Sequence, residues 1–347
     1  MQTRRRQYRV ADIAAQAGLS QATVDRVLHG RAGVRPETMA QVQRAIGELE
    51  RQHSQVQLSG KTFILDLVMQ APDRFAVESR TALEAELGTL RPAVLRVRSD
   101  LRESSDPDAA AGSLDAIGRR GSDGVILKAP DHPVVAEAVG RLRGVGIPVV
   151  TFVTDLRSSR RMAYVGVDNV AAGATAAYLV ANWAGSHGDV LLTVSHSSFR
   201  GEEEREAGFR SELGSLAPAR GVCAVTDTDG LDETMLGAVR AALAGNPSID
   251  AVYSAGGGNR ATLAAFAELG RTPAVFVAHD LDADNRELLR TRRISAVLHH
   301  DLHADMRRAI RLLLQARRLL PGGPITLPSQ VQVITPHNEP AALHPGE

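Results

Sequence analysis

Residues 9–50, RVADIAAQAGLSQATVDRVLHGRAGVRPETMAQVQRAIGELE, carry the spacing of three helices with a tight turn between the first two. Val10, Ile13, Ala14 and Ala17 recur on one helical face, and Gly18 supplies the backbone angle that a sharp turn needs. Ser20 is placed to cap the second helix, in which Val24, Val27 and Leu28 face inward. Gln21, Ala22, Asp25 and Arg26 are left on the outward face, and Gly30 is the expected stop. Pro36 opens a third helix whose Met39, Val42, Ile46 and Leu49 are expected to close the small core. Two short helices joined by such a turn make a helix-turn-helix, whose second helix enters a DNA groove. A three-helix bundle that binds protein is the plainer alternative, and charge speaks against it. Met1 to Gln52 hold nine arginines against five carboxylates, in a chain of 40 basic and 40 acidic residues. A basic head therefore sits on a slightly acidic body, as attraction to phosphate requires. The Arg4-Arg5-Arg6 run reads as an arm that touches the DNA backbone.

The stretch resembles the headpiece of the lactose-repressor (LacI/GalR) family of bacterial transcription regulators. Asp12, the run Ala17-Gly18-Leu19-Ser20 and the run from Thr23 to Leu28 carry the resemblance. It implies that Gln21, Ala22 and Arg26 read base edges, while Arg9, Ser20, Thr23 and Thr38 sit near phosphate. Asp25 stands where the family usually has serine, and a carboxylate there repels phosphate or demands a cytosine amino group. The next segment, RQHSQVQLSGK at 51–61, departs from the family's hinge helix: it has no proline and no Ala-Arg pair. Leu58 is the only candidate for a minor-groove wedge. Residues 51–60 are read as a linker without helical periodicity.

At 347 residues the chain is long enough for two or three domains. Its apolar fraction of 44% supports a large core, yet no run approaches the ~18 apolar residues of a membrane helix. No membrane partner is expected. The basic N-terminus lacks the apolar segment and cleavage site of a secretory signal, so a cytoplasmic address is expected. Cys223 is the single cysteine, and no Cys/His spacing resembles a metal site, so neither metal nor cofactor is expected.

From Lys61 onward, continuous apolar runs alternate with amphipathic helix patterns: TFILDLVM, then a helix near 76–90; AVLRVR, then a helix near 107–120. DGVILK, IPVVTFV, MAYVGV, GDVLLTV, VCAVT, DAVYSA, AVFVAH and ISAVLH follow. Such strands imply parallel sheets covered on both faces, and about ten are too many for one small sheet. The expected class is α/β: a three-helix helix-turn-helix headpiece (1–50), the linker (51–60), and an effector-binding domain (61–347) of two doubly wound parallel-sheet subdomains. The latter resembles the type I periplasmic sugar-binding fold. The resemblance implies crossings near 156–162, 300–303 and 321–326. The first subdomain would hold about 61–157 and 301–323, and the second about 158–300 and 324–340, with a last strand from Ile325 to Ile334.

Ligands of open parallel sheets gather at the carboxyl ends of strands. Phe75 follows the first strand, and Thr154 and Asp155 follow IPVVTFV. Arg205, Gly208 and Phe209 match the family's "RxxGF", while Asp280 and His300 end two late strands. Asn259 is expected to turn toward the effector. Such groups suit a neutral sugar or polyol, since guanidinium and carboxylate pair with adjacent hydroxyls and an aromatic covers the C–H face. Arg74, Arg200 and Arg260 are further cations that could offset the carboxylates toward a sugar phosphate. Asp168-Asn169 reads as a helix cap, and Glu202-Glu203-Glu204 as a solvated helix start.

Gly256-Gly257-Gly258-Asn259-Arg260-Ala261 fits G-x-G-x-x-A after a strand, with Asp280 about 20 residues on. That supports an alternative, an NAD(P)-binding oxidoreductase with an accessory DNA- or protein-binding head, but the motif comes late in the sheet. No nucleophile elbow or phosphate-binding loop is present, and no catalytic residues are expected. The preferred expectation is a homodimeric regulator, by family habit a repressor, that reads double-stranded operator DNA under control of a small sugar or polyol.

Overall fold

The computed structural model describes residues 8–104, 106–185, 187–323 and 327–340. The Arg4–Arg6 arm and the expected strand start at Ile325 lie outside the described residues.

The headpiece is three helices, α1 (Val10–Ala17), α2 (Gln21–Leu28) and α3 (Pro36–Leu58). Gly18 adopts φ 63° and ends α1 in the left-handed conformation. Ile13, Ala14, Val24 and Val42 are buried together, with Val10, Val27, Leu28, Ile46 and Leu49 packed around them. Met39 is 42% exposed rather than in the core. Two eight-residue helices cover only part of the 23-residue third, so its opening turn is left uncovered. The linker expectation also needs correcting, because α3 continues to Leu58. Its stretch ERQHSQVQL contains no Pro or Gly and is rich in tolerable helix formers. Leu58, 3% exposed, anchors the end in the core of the first sheet, so it is not a free wedge. Gly60, at φ 71°, then turns the chain into the first strand.

Eleven strands among the described residues form two sheets. The first has the order β2-β1-β3-β4-β5, from β1 (Thr62–Gln70), β2 (Val94–Arg102), β3 (Gly124–Lys128), β4 (Val149–Phe152) and β5 (Ala163–Val165), all parallel. The second has the order β11-β10-β9-β8-β6-β7, from β6 (Asp189–Thr193), β7 (Val222–Val225), β8 (Ile249–Ser254), β9 (Val275–His279), β10 (Ala296–His299) and β11 (Gln332–Ile334). Only β11 is antiparallel. In the first unit α4 (Asp73–Glu86), α5 (Pro107–Arg120) and α6 (Pro133–Gly144) follow strands. In the second, α7 (Asn169–Trp183), α8 (Arg200–Leu216), α9 (Asp232–Gly245), α10 (Asn259–Glu268) and α11 (Ala283–Arg290) do so. Strands such as β3, buried at every residue, show why the apolar runs are continuous rather than alternating.

The expected crossing near 156–162 places MAYVGV in the second subdomain. Instead β5 pairs with β4, Val150 opposite Ala163, and the first crossing follows at Gly166–Asp168. The reason is local: Arg161 binds the Asp155 carboxylate, which also accepts from Thr151 Oγ1 at 2.8 Å. The loop after β4 is thereby folded back, and Ala163 and Val165 reach the first core. The second crossing, at His300–Asp301, leads into α12 (Leu302–Ala316), whose Leu302, Met306, Ile310 and Leu313 pack in the core of the first sheet. The third passes Ser329, which bridges Val167, and ends in β11. Among the described residues no helix is long and apolar enough to cross a membrane.

Candidate functional site

Two regions carry functional chemistry, the outer face of α2 and the cleft between the sheets. In the headpiece, Ser20 caps α2: its Oγ accepts from Thr23 N at 3.2 Å and lies 2.8 Å from Thr23 Oγ1. Asp12 accepts from Arg9 N at 3.1 Å, closing the start of α1. With Val24 fully buried, Ala22 and Arg26 are exposed on the opposite side, and Gln21 is exposed at the helix start. Arg9 and Ser20 are exposed, and Thr23 and Thr38 half-buried. Asp25 pairs with His29 Nδ1 at 3.0 Å and Arg31 at 3.6 Å. The carboxylate that departs from the family pattern thus has the Arg31 guanidinium and the His29 ring beside it.

The cleft lies at the carboxyl ends of both sheets and encloses about 580 Å³, its open mouth included. The first unit contributes Arg74, Phe75, Lys128 and Thr154 to its lining; the second contributes Ser195, Phe199, Glu202, Arg205, His279, Asp280, Asp282 and Asn285. Arg205, 3% exposed, donates from Nε to Asn169 Oδ1 and from Nη1 to Ala255 O, both at 2.9 Å. It can approach because α7 and α8 touch: a Cβ on Gly173 would lie 1.9 Å from Arg205 O, and one on Gly208 2.1 Å from Val170 O. The glycine of the "RxxGF" match therefore serves helix contact, while its arginine serves the cleft.

Lys128 Nζ donates to Gln70 O at 2.8 Å and stands 4.0 Å above the Phe199 ring. Burial lowers its ammonium to about 8, against the pull of Glu202 and Asp280. Glu202 accepts from Ser195 N at 2.6 Å and Ser195 Oγ at 2.5 Å, and burial holds its carboxyl above the usual range. His279 Nε2 lies 2.8 Å from Tyr253 OH, and burial pushes its imidazole well below its ordinary value. Asp282 accepts from Asn285 N at 2.8 Å and is pushed up to about 6, chiefly by burial. Asp280 adopts φ 64°, and its buried Oδ1 has no hydrogen-bond partner. A strained backbone and an unpaired buried oxygen at one cavity residue form an acceptor waiting for a donor.

Of the residues expected from the sequence, Phe75, Thr154, Arg205 and Asp280 meet in this lining, and Asp155, Asn259 and His300 do not. Asp155 is spent on Arg161, Thr151 and Leu156 N, where it shapes the loop before β5. Asn259 donates to Asn285 Oδ1 at 2.7 Å and so orients a lining residue from behind. His300 lies behind Asp280, with Nε2 3.8 Å from Oδ1. Arg200 and Arg260 are engaged by Glu204 and Asp284. Asp168 caps α7 as expected, accepting from Ala171 N at 3.0 Å. Glu202, in contrast, is 8% exposed instead of solvated. Lys128 ends β3, where the strand-end rule applies, so its place was within reach of the sequence; Glu202 and Asp282 sit in helix starts, where an acidic residue reads equally well as a cap. The glycines of the G-x-G-x-x-A stretch answer to packing, since a Cβ on Gly256 would meet Glu202 Oε2 at 2.3 Å and one on Gly257 Arg74 Nη2 at 2.5 Å. Among the described residues no group of three metal-ligating side chains is present.

A helix-turn-helix headpiece joined to two doubly wound units around a polar cleft defines a DNA-binding regulator with a small-molecule pocket. The model of the periplasmic binding protein domain matches residues 68–318, and that of the bacterial regulatory proteins of the lacI family matches residues 9–51. The chain belongs to the periplasmic binding protein domain family and, through its headpiece, to the LacI/GalR regulators. No protein of curated function matches it. Among solved structures it is similar to GanP, a glucose-galactose binding protein from Geobacillus stearothermophilus, at 18% identity over 81% of this chain and 100% of that one, TM-score 0.72. A solute binding protein from Agrobacterium vitis bound with α-D-tagatopyranose is 18% identical over 80% and 95%, TM-score 0.71. One from Burkholderia graminis in complex with D-arabinose is 18% identical over 81% and 97%, TM-score 0.70. At such identities the likeness is one of fold.

Proposed function

We propose that the protein is a cytoplasmic, homodimeric, non-enzymatic repressor whose hold on a palindromic operator is set by a neutral sugar or polyol in the cleft. Gln21, Ala22 and Arg26 would read base edges, and Arg9, Ser20, Thr23 and Thr38 would contact phosphate; Phe75, Thr154, Arg205 and Asp280 would hold the effector. The observation that carries the effector class is the balance of the lining: Arg74, Lys128 and Arg205 face Glu202, Asp280 and Asp282, three cations against three carboxylates. A charged ligand would leave one set uncompensated in a buried site, whereas hydroxyls donate to one set and accept from the other. Phe75 and Phe199 supply apolar surface beside them. The sugar-binding proteins of the same fold support this reading. One headpiece reads too few base pairs for useful specificity, which supports the dimer. The test is a thermal-shift screen against pentoses, hexoses, polyols and their phosphates, followed by operator gel shifts with any hit. Stabilisation by a neutral compound that also changes operator affinity is expected. Stabilisation by phosphorylated compounds alone, or by NADH alone, would overturn the assignment.

A further inference from the structure

All three crossings between the two units meet at one buried hydrogen-bond chain. His300, in the second crossing, holds Asp305 Oδ2 at 2.6 Å through Nδ1. Asp305, at the start of α12, accepts through its other oxygen from Ser329 Oγ in the third crossing. Ser329 N donates to Gly166 O, in the first crossing, at 2.8 Å. The side chains of His300 and Asp305 are each 2% exposed, so the exchange of these partners for water is suppressed. At the other end His300 Nε2 points to the cleft residue Asp280, 3.8 Å from Oδ1, and both atoms are buried without a hydrogen-bond partner. A chain satisfied at every link but the one at the cavity wall leaves its unmade contact where an occupant of the cleft would reach it.

We propose that His300, Asp305 and Ser329 are positioning residues that transmit occupancy of the cleft at Asp280 to the three crossings, and so to the relative rotation of the two units. This rests on the reading of the cleft as the effector site. An occupant that donates to Asp280 Oδ1 takes up the oxygen facing His300 Nε2, and the ring is held on its far side by Asp305. The only yielding partners are the crossings themselves, where a small shift becomes a rotation of packed units. Neither Asp305 nor Ser329 is among the lining residues, so their effect is on coupling rather than on affinity.

The test uses the full-length protein, with fluorophores on E137C and E233C in a C223S background, diluted with unlabelled copies so that transfer reports one chain. These sites are exposed, one on each unit. Without any sugar, Asp305→Asn and Ser329→Ala are expected to shift or broaden the transfer distribution, with melting temperatures close to that of the parent. With a sugar from the screen, both are expected to bind within about threefold of the parent while the sugar-dependent change in operator affinity falls below about twofold. An unchanged sugar-free distribution in both variants overturns the proposal, as does full coupling. If no sugar binds the parent but the distribution moves, the chain of contacts stands and the effector reading falls instead.

Discussion

Arg74 of the first unit reaches across the cleft to Asp282 of the second, Nε to carboxylate 3.1 Å, and its Nη2 donates to Gly230 O at 2.8 Å. Thr154 Oγ1 accepting from Gly201 N at 2.9 Å, and Ser104 donating to Asp229 at 3.1 Å, join the same two walls. The cleft is thus latched in part by side chains that also line it, Arg74 and Thr154, and Arg74–Asp282 is the ion pair among these contacts. Removing Arg74 leaves the Asp282 carboxylate, 5% exposed, without its cation. Arg74→Ala is expected to cost about 1–3 kcal/mol and to enlarge the radius of gyration in X-ray scattering; an unchanged scattering profile would show that the latch holds nothing.

The pH dependence of that latch follows from the raised carboxyl of Asp282, about 6 against an ordinary 3.8. Because the folded state holds this proton more tightly than the unfolded chain, the group's contribution to stability is full below about 4. It is lost as pH rises through about 6. Asp282→Asn removes the titration, so the difference in melting temperature, wild type minus variant, is expected to fall between pH 4 and 6 and level off above. A difference independent of pH would contradict the burial argument.

Specific DNA recognition should depend on Arg26, exposed on α2 opposite Val24. Arg26→Ala is expected to weaken operator binding by roughly 1–3 kcal/mol with little change on unrelated duplex. Equal operator titration curves for variant and parent in a gel shift would remove the role.

Asp280→Asn preserves shape and tolerates the left-handed backbone of that position, while halving the acceptor capacity of the side chain whose Oδ1 has no partner. Effector affinity by calorimetry is expected to fall by about 10-fold or more, from one lost charge-assisted bond of about 1.5–3 kcal/mol, with operator binding intact. Parent-like affinity would place the ligand elsewhere.

Leu58 gives a fifth test. Buried in the first core at the end of α3, it should behave as a packing residue: Leu58→Ala is expected to cost about 2–5 kcal/mol in urea unfolding. DNA bending, read by circular-permutation gel, should not change; a loss of bend would restore the wedge.

The headpiece was legible because its signals are local. Gly18, Ser20 and the spacing of Ile13, Ala14, Val24 and Val42 fix short helices within a few residues of themselves, and the structure carries them as read. The alternation of strand and helix from Lys61 onward was legible for the same reason, since period and turn chemistry act over one element. Where the reading failed, a distant partner decided. The polar window 51–58 is helical because Leu58 finds a core that begins at Phe63 and closes with α12. The strand β5 stays in the first sheet because Ala163 and Val165 join a core that α12 completes more than a hundred residues later.

The cleft divides along the same line. By itself the sequence determined which strand ends carry polar groups, and so brought Phe75, Thr154, Arg205 and Asp280 into view. Only the tertiary structure decided that Asp155 and His300 turn away from the cavity while Lys128, Glu202 and Asp282 line it. A side chain's role here depends on what faces it from the other sheet, some tens to more than a hundred residues off, and no periodicity in the chain records that meeting.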